Sequence, residues 1–522
     1  MVQTSTTSLN AARRAADLAA LAGGEVVDLL VVGLGVTGAG IALDAASRGL
    51  TVAALDAQDL AFGTSRWSSK LVHGGLRYLA KLDVGVAMES ARERGLLMAH
   101  IAPHLTRTLP LLLPLGSYVD KGARRIYRAG LEAGDLLRRA AGTSTAILPR
   151  PRRVPVAQAL TMVPALSRDT LTGGYVHFDG QLEDDARLVI ALARTAAGFG
   201  ARVITYARVL ELAGDGALAR DSRSGEEFTV RARAVVNATG VWAGSLVDGI
   251  RLRPSRGSHI VLRAATLGHP TAALNLPAPG ERSRYVFAVP EPEGRVYAGL
   301  TDEPVDGPVP DVPGVPEADI EYLLTALSHA LATPLRRDDV IGTFAGLRPL
   351  LDAEGGGATA DMSRRHALFT SSDGVLTIVG GKLTTYRKMA EDAVDAAVRL
   401  RQLNAGPCRT KRLPLVGAAP RDELARLNAP QRLIRRYGTE APSVARLSRG
   451  LSPPPGLPAL VDVIAPGVPV TGAELVWGLR HEGALGADDL LDRRCRVGLV
   501  PTDRHAALTM AEAVLAEHAT GA

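Results

Sequence analysis

The stretch VVDLLVVGLGVTGAGIALDAASRGLTVAALD, residues 26–56, constrains this chain more than any other. An apolar run leads into Gly33, Gly35 and Gly38, spaced GxGxxG, and a helical apolar pattern then runs to Gly49. A second apolar run ends on Asp56, 21 residues after Gly35. Strand, glycine turn, helix and strand within about 30 residues make a βαβ unit, with Gly49 as the helix C-cap. In such a unit the first glycine makes the tight turn, the second lets a pyrophosphate approach the backbone, and the third lets helix and strand pack closely. The helix N-terminus offers amide hydrogens and partial positive charge to phosphate, and Asp56 can accept hydrogen bonds from ribose hydroxyls. The motif predicts a dinucleotide site without separating FAD from NAD.

Two later segments bear on that choice. AVVNATGVWAG ends a buried strand at Ala238, Thr239 and Gly240, where small residues allow a second close approach to a dinucleotide. VLTIVGGKLTTYRKMAEDAV repeats the strand–glycine–helix design, with Gly381, Lys382 and Leu383 in the turn and Thr384 or Thr385 as N-cap. A helix N-terminus aimed at a flavin ring would stabilise the negative charge that reduction places there. An early motif for the pyrophosphate and a late one for the redox ring suggest one extended cofactor, which FAD fits better than NAD.

At 522 residues the chain is long enough for roughly three domains of about 150 residues each. The fold class expected is α/β, and α+β overall. A Rossmann-like FAD-binding domain is assembled from residues 26–79, 171–253 and 340–402. An antiparallel-sheet substrate or cap domain comes from 80–170 and 254–339, and a helical domain from 403–522. Residues 1–25 read as a polar tail. A net charge of +6 with no block of Lys or Arg argues against nucleic acid as a partner. Two cysteines, Cys408 and Cys495, make no disulfide framework, so the chain reads as reduced and cytosolic-facing. No run of about 18 apolar residues predicts a membrane span, which leaves surface attachment to a bilayer open. Asp184 or Asp185 is expected to cap the helix that follows. His481-Glu482 lacks a second histidine four residues on, so no metal site is expected.

The segment GTSRWSSKLVHGGLRYL, residues 63–79, together with VVGLGVTGAGIALDAASRGL, GSHIV, GLRPL and GGKLTTYRKMA, resembles the FAD-dependent sn-glycerol-3-phosphate dehydrogenase family. The resemblance runs from about residue 27 to 402 and more faintly beyond. Many members carry Gly where Leu34 stands and Glu where Asp56 stands; neither change threatens FAD binding, since Asp keeps the carboxylate. The resemblance implies oxidation of glycerol 3-phosphate to dihydroxyacetone phosphate with FAD as hydride acceptor. Electrons then pass to membrane quinone, with the protein peripheral on the cytoplasmic face of the plasma membrane. A homodimer is compatible with it.

The residue roles follow from that chemistry. A phosphate dianion needs fixed cations, for which Arg77 and Arg348 stand in motif positions, with Tyr78 as a donor. Only six of the 60 basic residues are lysines, so Lys70 and Lys382, both inside motifs, stand out. Lys382 is a candidate for flavin, substrate and catalysis, as is Arg348. Hydride transfer from an alcohol needs a base, for which His73 is the first candidate and His259, also a candidate substrate ligand, the second. Thr64, Ser65, Ser68 and Ser69 offer hydroxyls to ribityl and pyrophosphate oxygens, beside Gly74 and Gly75. The cofactor lining is completed by Val36, Thr37, Ala57, Leu71 and Val209, with His73 and Arg348 touching it as well. A glycerol-3-phosphate oxidase of the same fold, reducing oxygen, is the nearest alternative. A non-catalytic Rossmann-like binding protein is the alternative of another class.

Overall fold

The computed structural model describes residues 4–75, 83–116, 121–278, 285–351 and 366–518. Its first layer grows from the βαβ unit. Strand Val26–Val32 pairs in parallel with Val52–Leu55 on one side and Glu227–Asn237 on the other. Arg202–Ile204 and Leu376–Gly380 extend the parallel set outward, and His366–Thr370 closes one edge antiparallel. The hairpin Ala207–Ala213 and Gly216–Asp221 pairs antiparallel onto Glu227–Asn237.

At the centre of the sheet, residues 29–32, 52–55 and 234–236 are continuously apolar and buried because both faces are covered. Helices Val36–Ser47, Asp185–Gly198 and Tyr386–Arg401 share one buried cluster with Leu29, Val31 and Val236. On the other face Leu30, Val32, Leu55 and Val235 pack with the hairpin and with Leu21. Small residues set the spacing. A Cβ on Gly38 would lie 1.7 Å from the Gly33 carbonyl oxygen, and one on Gly40 would lie 2.9 Å from the Tyr386 ring.

The second layer is almost wholly antiparallel. Thr106–Gly116 runs along Leu171–Leu182, and Ser255–Arg263 lies between Arg295–Gly299 and Val340–Arg348. Its own core gathers Leu112, Val176, Ile260, Leu274 and Val296, closed by helix Glu317–Ser328. Two expected boundaries move accordingly. Leu171–Leu182 and Val340–Arg348, placed by sequence in the FAD-binding segments 171–253 and 340–402, belong to this second sheet. Leu71–Val72 also leaves the first layer, pairing with Gln181 and Gly180. A short apolar run announces a strand but not the sheet that receives it, because the hydrogen-bond partners are remote in sequence.

Within the expected tail of residues 1–25, the described residues from 4 onward are more than a tail. Asn10 caps helix Ala11–Ala22, accepting from the Arg13 amide at 2.9 Å, and Leu21 is buried. Arg14 pairs with Asp221 at 2.7 Å, and Leu9 bridges to Glu482 in the C-terminal region.

The C-terminal region has a helical core around Leu475, Val476, Leu490, Met510 and Val514. Charge docks it on the first layer. Both oxygens of Asp59 accept from Arg494, at 2.6 and 2.8 Å, and Arg493 shares the same carboxylate at 2.5 Å. Arg187 reaches Glu482, and Arg194 grips Glu440 with both nitrogens at 2.7 and 2.9 Å. All of these groups are buried. Removing one partner of a buried pair strands the other charge, which costs about 3–5 kcal/mol. Asp59→Ala is therefore expected to lower stability by about that amount, read as an earlier urea transition of the C-terminal region. A midpoint unchanged from wild type would show that the pairing does not hold the domains together.

Candidate active site

The glycine turn shows where a cofactor can enter. From Val31 to Gly40 the chain is buried except at Gly35 and Thr37, which are half-exposed on one side. A Cβ on Gly33 would lie 2.7 Å from the Ala238 carbonyl oxygen, so Gly33 and Gly38 close the turn on its inner side. Around Gly35 the nearest atom to such a Cβ is the Ser65 hydroxyl, at 3.0 Å. That hydroxyl also accepts from the Val36 amide at 2.8 Å, at the start of the helix. A concave, backbone-lined opening at a helix N-terminus is what a pyrophosphate requires. Asp56 accepts from the Leu34 amide at 2.6 Å and the Gln58 amide at 2.9 Å, so it braces the turn from below. Burial pushes its carboxyl up to about 6, against the opposing pull of those two amides.

Other predicted residues flank this opening. Thr239 binds Asn237 at 2.7 Å through its hydroxyl, and Gly240 has φ +62°, beside strand Leu376–Gly380. Ala238 donates to the Val32 carbonyl, which places it against the glycine turn. Ala57 follows Asp56 and is half-exposed, and Val209 is a buried position of the adjoining hairpin. The late turn has Gly380 and Gly381 at φ +78° and +79°, a left-handed pair that suits glycine. Leu383–Thr385 then forms a single 3₁₀ turn before helix Tyr386–Arg401. Thr385 occupies the N-cap position, but no side-chain hydrogen bond caps the helix. Thr384 is buried.

The two halves of the chain meet here. Leu71–Val72, which leads into His73, packs beside the Leu383–Thr385 turn. Gly75 has φ +76°, and the Gly74 amide donates to Asp179, whose carboxylate also receives Arg94 at 2.6 Å. Lys382 donates to the Ser90 hydroxyl at 2.8 Å. Arg348 donates to Asp302 at 3.1 Å, to Ser255 at 3.2 Å and to the Thr301 carbonyl at 3.3 Å, leaving its guanidinium half-buried and fixed. Thr64 ties the same strand through the Leu347 carbonyl at 2.6 Å. Arg77 and Tyr78 lie outside the described residues.

Three expected site residues are engaged inward. Ser68 donates through amide and hydroxyl to Asp185, at 2.9 and 2.8 Å, and Lys70 reaches the same oxygen at 3.1 Å. Burial lowers the Lys70 ammonium, and burial alone would raise Asp185, but Lys70 and Arg496 hold that carboxyl below its usual range. His259 is the third. Its Nε2 meets the Ser69 hydroxyl at 2.8 Å, and its ring stacks on Phe344 at 4.5 Å between centroids. Burial, then the charges of Lys70 and Arg348, hold His259 at about 3, so it stays neutral and is a poor base near neutrality.

Sequence reasoning missed the supports of the site: Ser90, Arg94, Asp179, Ser255, Asp302 and Phe344. None stands in a motif, and their contacts span 46 to 292 positions, so no local signal marks them. Asp185 was read only as a possible helix cap. Asp184 takes that role, accepting from the Ala186 amide at 2.9 Å, and frees Asp185 for Lys70.

Comparison with known proteins decides the class. Residues 28–387 match the FAD dependent oxidoreductase family, and 408–520 match the C-terminal domain of alpha-glycerophosphate oxidase. Glycerol-3-phosphate dehydrogenase 1 of Mycobacterium tuberculosis is 51% identical over 99% of this chain and 100% of its own. The chain belongs to the FAD-dependent glycerol-3-phosphate dehydrogenase family. Mitochondrial glycerol-3-phosphate dehydrogenase of Rattus norvegicus is 36% identical over 93% of this chain and 70% of its own. The glycerol-3-phosphate dehydrogenase of Bacillus halodurans, solved with FAD, superposes with TM-score 0.73 at 27% identity, covering 98% of this chain and 96% of that one. The cofactor of the family is FAD, and the half-exposed Gly35 cradle fits its pyrophosphate.

Asp56 gives the cradle a pH dependence. Were ribose hydroxyls of FAD to donate to this carboxylate, binding would favour the ionised form and lower its proton affinity. FAD affinity should then be constant above about pH 6 and fall as pH drops through that value, by at most tenfold per pH unit. Asp56→Asn should flatten the profile. Fluorescence titration of FAD from pH 5 to 8 checks this, and an identical fall in Asp56→Asn would remove Asp56 as its source.

Proposed function

We propose that the chain oxidises sn-glycerol 3-phosphate to dihydroxyacetone phosphate and delivers the electrons to membrane quinone, as a peripheral protein on the cytoplasmic face. The observation that carries this reading is that one motif segment, running from Thr64 to His73, touches both of the other motif elements. The turn holding Lys382 packs beside the strand that leads to His73, and Arg348 is held by Asp302 and Ser255 on the strand tied to Thr64. Bound FAD supplies the acceptor for the hydride that leaves carbon 2 of the substrate.

The chain's own residues do the rest. Arg348 offers a guanidinium whose orientation is set before substrate arrives, which lowers the ordering cost of gripping a phosphate. Arg77 and Tyr78, from the same motif as His73, complete the phosphate site. Lys382, held by Ser90, places a positive charge at the ring-facing turn, where negative charge develops. His73 takes the hydroxyl proton. His259 is kept neutral and bonded to Ser69, and holds the loop rather than the proton.

A second reading has one observation in its favour, since residues 408–520 match a domain named for alpha-glycerophosphate oxidase. Oxygen would then replace quinone as acceptor. Turnover with a short-chain quinone and no peroxide formed in air supports the dehydrogenase; stoichiometric peroxide supports the oxidase.

The residue roles make two further predictions. A positioned general base is worth about 10²–10⁴ in rate, so His73→Ala should slow anaerobic flavin reduction by about that factor while FAD stays bound. Stopped-flow reduction near the wild-type rate would remove His73 as base. Arg348→Ala should lower kcat/KM by roughly 30-fold or more, as the loss of one charge-assisted partner implies. Unchanged efficiency would place the phosphate elsewhere.

A further inference from the structure

One face of helix Val84–Leu96 holds both halves of the site. Ser90, Glu93 and Arg94, spaced i, i+3 and i+4, lie side by side and are buried. Ser90 and Glu93 serve the late turn. Ser90 accepts from Lys382 at 2.8 Å, and Glu93 accepts from Nε and Nη2 of Arg387 at 2.7 and 2.6 Å. Arg94 serves the other half. Its Nη1 donates to Asp179 at 2.6 Å, and only 7% and 9% of the two side chains are exposed. Both oxygens of Asp179 lie 3.2 Å from the amide of Gly74, the residue after His73. The guanidinium also lies against the Gly74 backbone, where a Cβ would sit 2.4 Å from Nη1 and 2.6 Å from Cζ. On strand Leu171–Leu182, Gly180 lets Val72 approach as closely, since a Cβ on it would lie 3.0 Å from the Val72 carbonyl oxygen. The turn has no slack, and His73 is its half-buried residue between buried Val72 and Gly74.

A neutral acceptor would hold the Gly74 amide as well as a carboxylate does. Burying two full charges to do so carries a desolvation cost that their mutual attraction must offset. It also sets two opposite charges one residue from the candidate base. We propose that the Arg94–Asp179 pair is the positioning element of His73, fixing the turn that aims its imidazole and cancelling its own charge there. The proposal rests on the reading of His73 as base. Other charged groups on the surrounding elements are themselves paired or tied. Lys382 on the late turn is held by Ser90, Lys70 is paired with Asp185, and Glu93 is paired with Arg387, with Glu89 one turn before it. His177, on the strand of Asp179, is pushed down to about 4 by burial, against the pull of Asp179, so it is neutral near pH 7. Within the pair, either charge left alone would act on the imidazolium. An unpaired unit charge several Å away moves such a group by about one pH unit.

The test follows anaerobic flavin reduction by glycerol 3-phosphate in the FAD-loaded full chain, by stopped flow from about pH 5 to 9. Asp179→Asn leaves the Arg94 cation alone beside the turn, which disfavours the imidazolium. The acid limb should then move down by about one pH unit. Arg94→Met leaves the carboxylate alone and should move the limb up by about as much. Arg94→Lys keeps the charge and should keep the limb in place. Arg94→Met combined with Asp179→Asn strands no charge, so its limb should stay at the wild-type position. Its reduction rate should still fall about tenfold or more, because the turn is no longer fixed. Substrate Kd, from the concentration dependence of reduction, should change little in all four, since Arg348 is untouched. A merely structural pair would not move the limb in opposite directions. Limbs that stay put or shift the same way in the two single variants overturn the proposal, as does a double variant with the wild-type rate. If the single variants do not load FAD, the double variant decides. His73→Ala in the same assay separates the two readings. A limb lost in His73→Ala but unmoved in the pair variants removes the positioning role alone; a limb retained in His73→Ala removes the base and the proposal with it.

Discussion

The ion pair between Lys70 and Asp185 is the joint on which the site depends. Asp185 opens the central helix Asp185–Gly198, where the helix dipole favours negative charge, and both partners are buried. Lys70 sits at φ +55°, a left-handed conformation that costs an ordinary residue about 1–2 kcal/mol. The pair and the Ser68 bonds to the same carboxylate hold it there. With that point fixed, the loop 63–70 can serve both layers at once. Ser65 reaches the glycine-turn helix, Thr64 the Leu347 carbonyl and Ser69 the His259 ring. Above them the Lys70 ammonium lies 4.7 Å from the Phe344 ring centroid.

This joint links the Gly35 cradle of one sheet to the strand of the other that ends in Arg348, the proposed phosphate ligand. The cradle is rigid because its inner side has no room: Gly33 touches the Ala238–Thr239 backbone and Gly38 touches Gly33. Arg348 is rigid because Asp302, Ser255 and Thr301 share its guanidinium. The loop between the two sets their separation, and precise separation is what hydride transfer demands.

Much of the first layer was legible from local pattern. GxGxxG, the apolar runs around it and the late glycine turn each carry their period or their turn chemistry within about 20 residues. The sheet to which Leu171–Leu182 and Val340–Arg348 belong was not legible, because either sheet would satisfy their apolar faces. The same holds for charge. The arginine excess reads in sequence as composition, yet Arg187, Arg194, Arg493 and Arg494 are buried bridges between domains. A guanidinium shows its partner only when the chain is folded. His259 is a third case: a histidine in a motif resembles a base until its burial beside Phe344 is seen.

The central claim joins an FAD cradle to a glycerol 3-phosphate site in one chain. It is tested most directly by the visible spectrum of the purified protein under nitrogen. The account predicts a yellow flavoprotein whose absorbance near 450 nm bleaches on adding sn-glycerol 3-phosphate, with one dihydroxyacetone phosphate formed per flavin bleached. A protein that binds FAD fully and keeps its colour with excess glycerol 3-phosphate would contradict it.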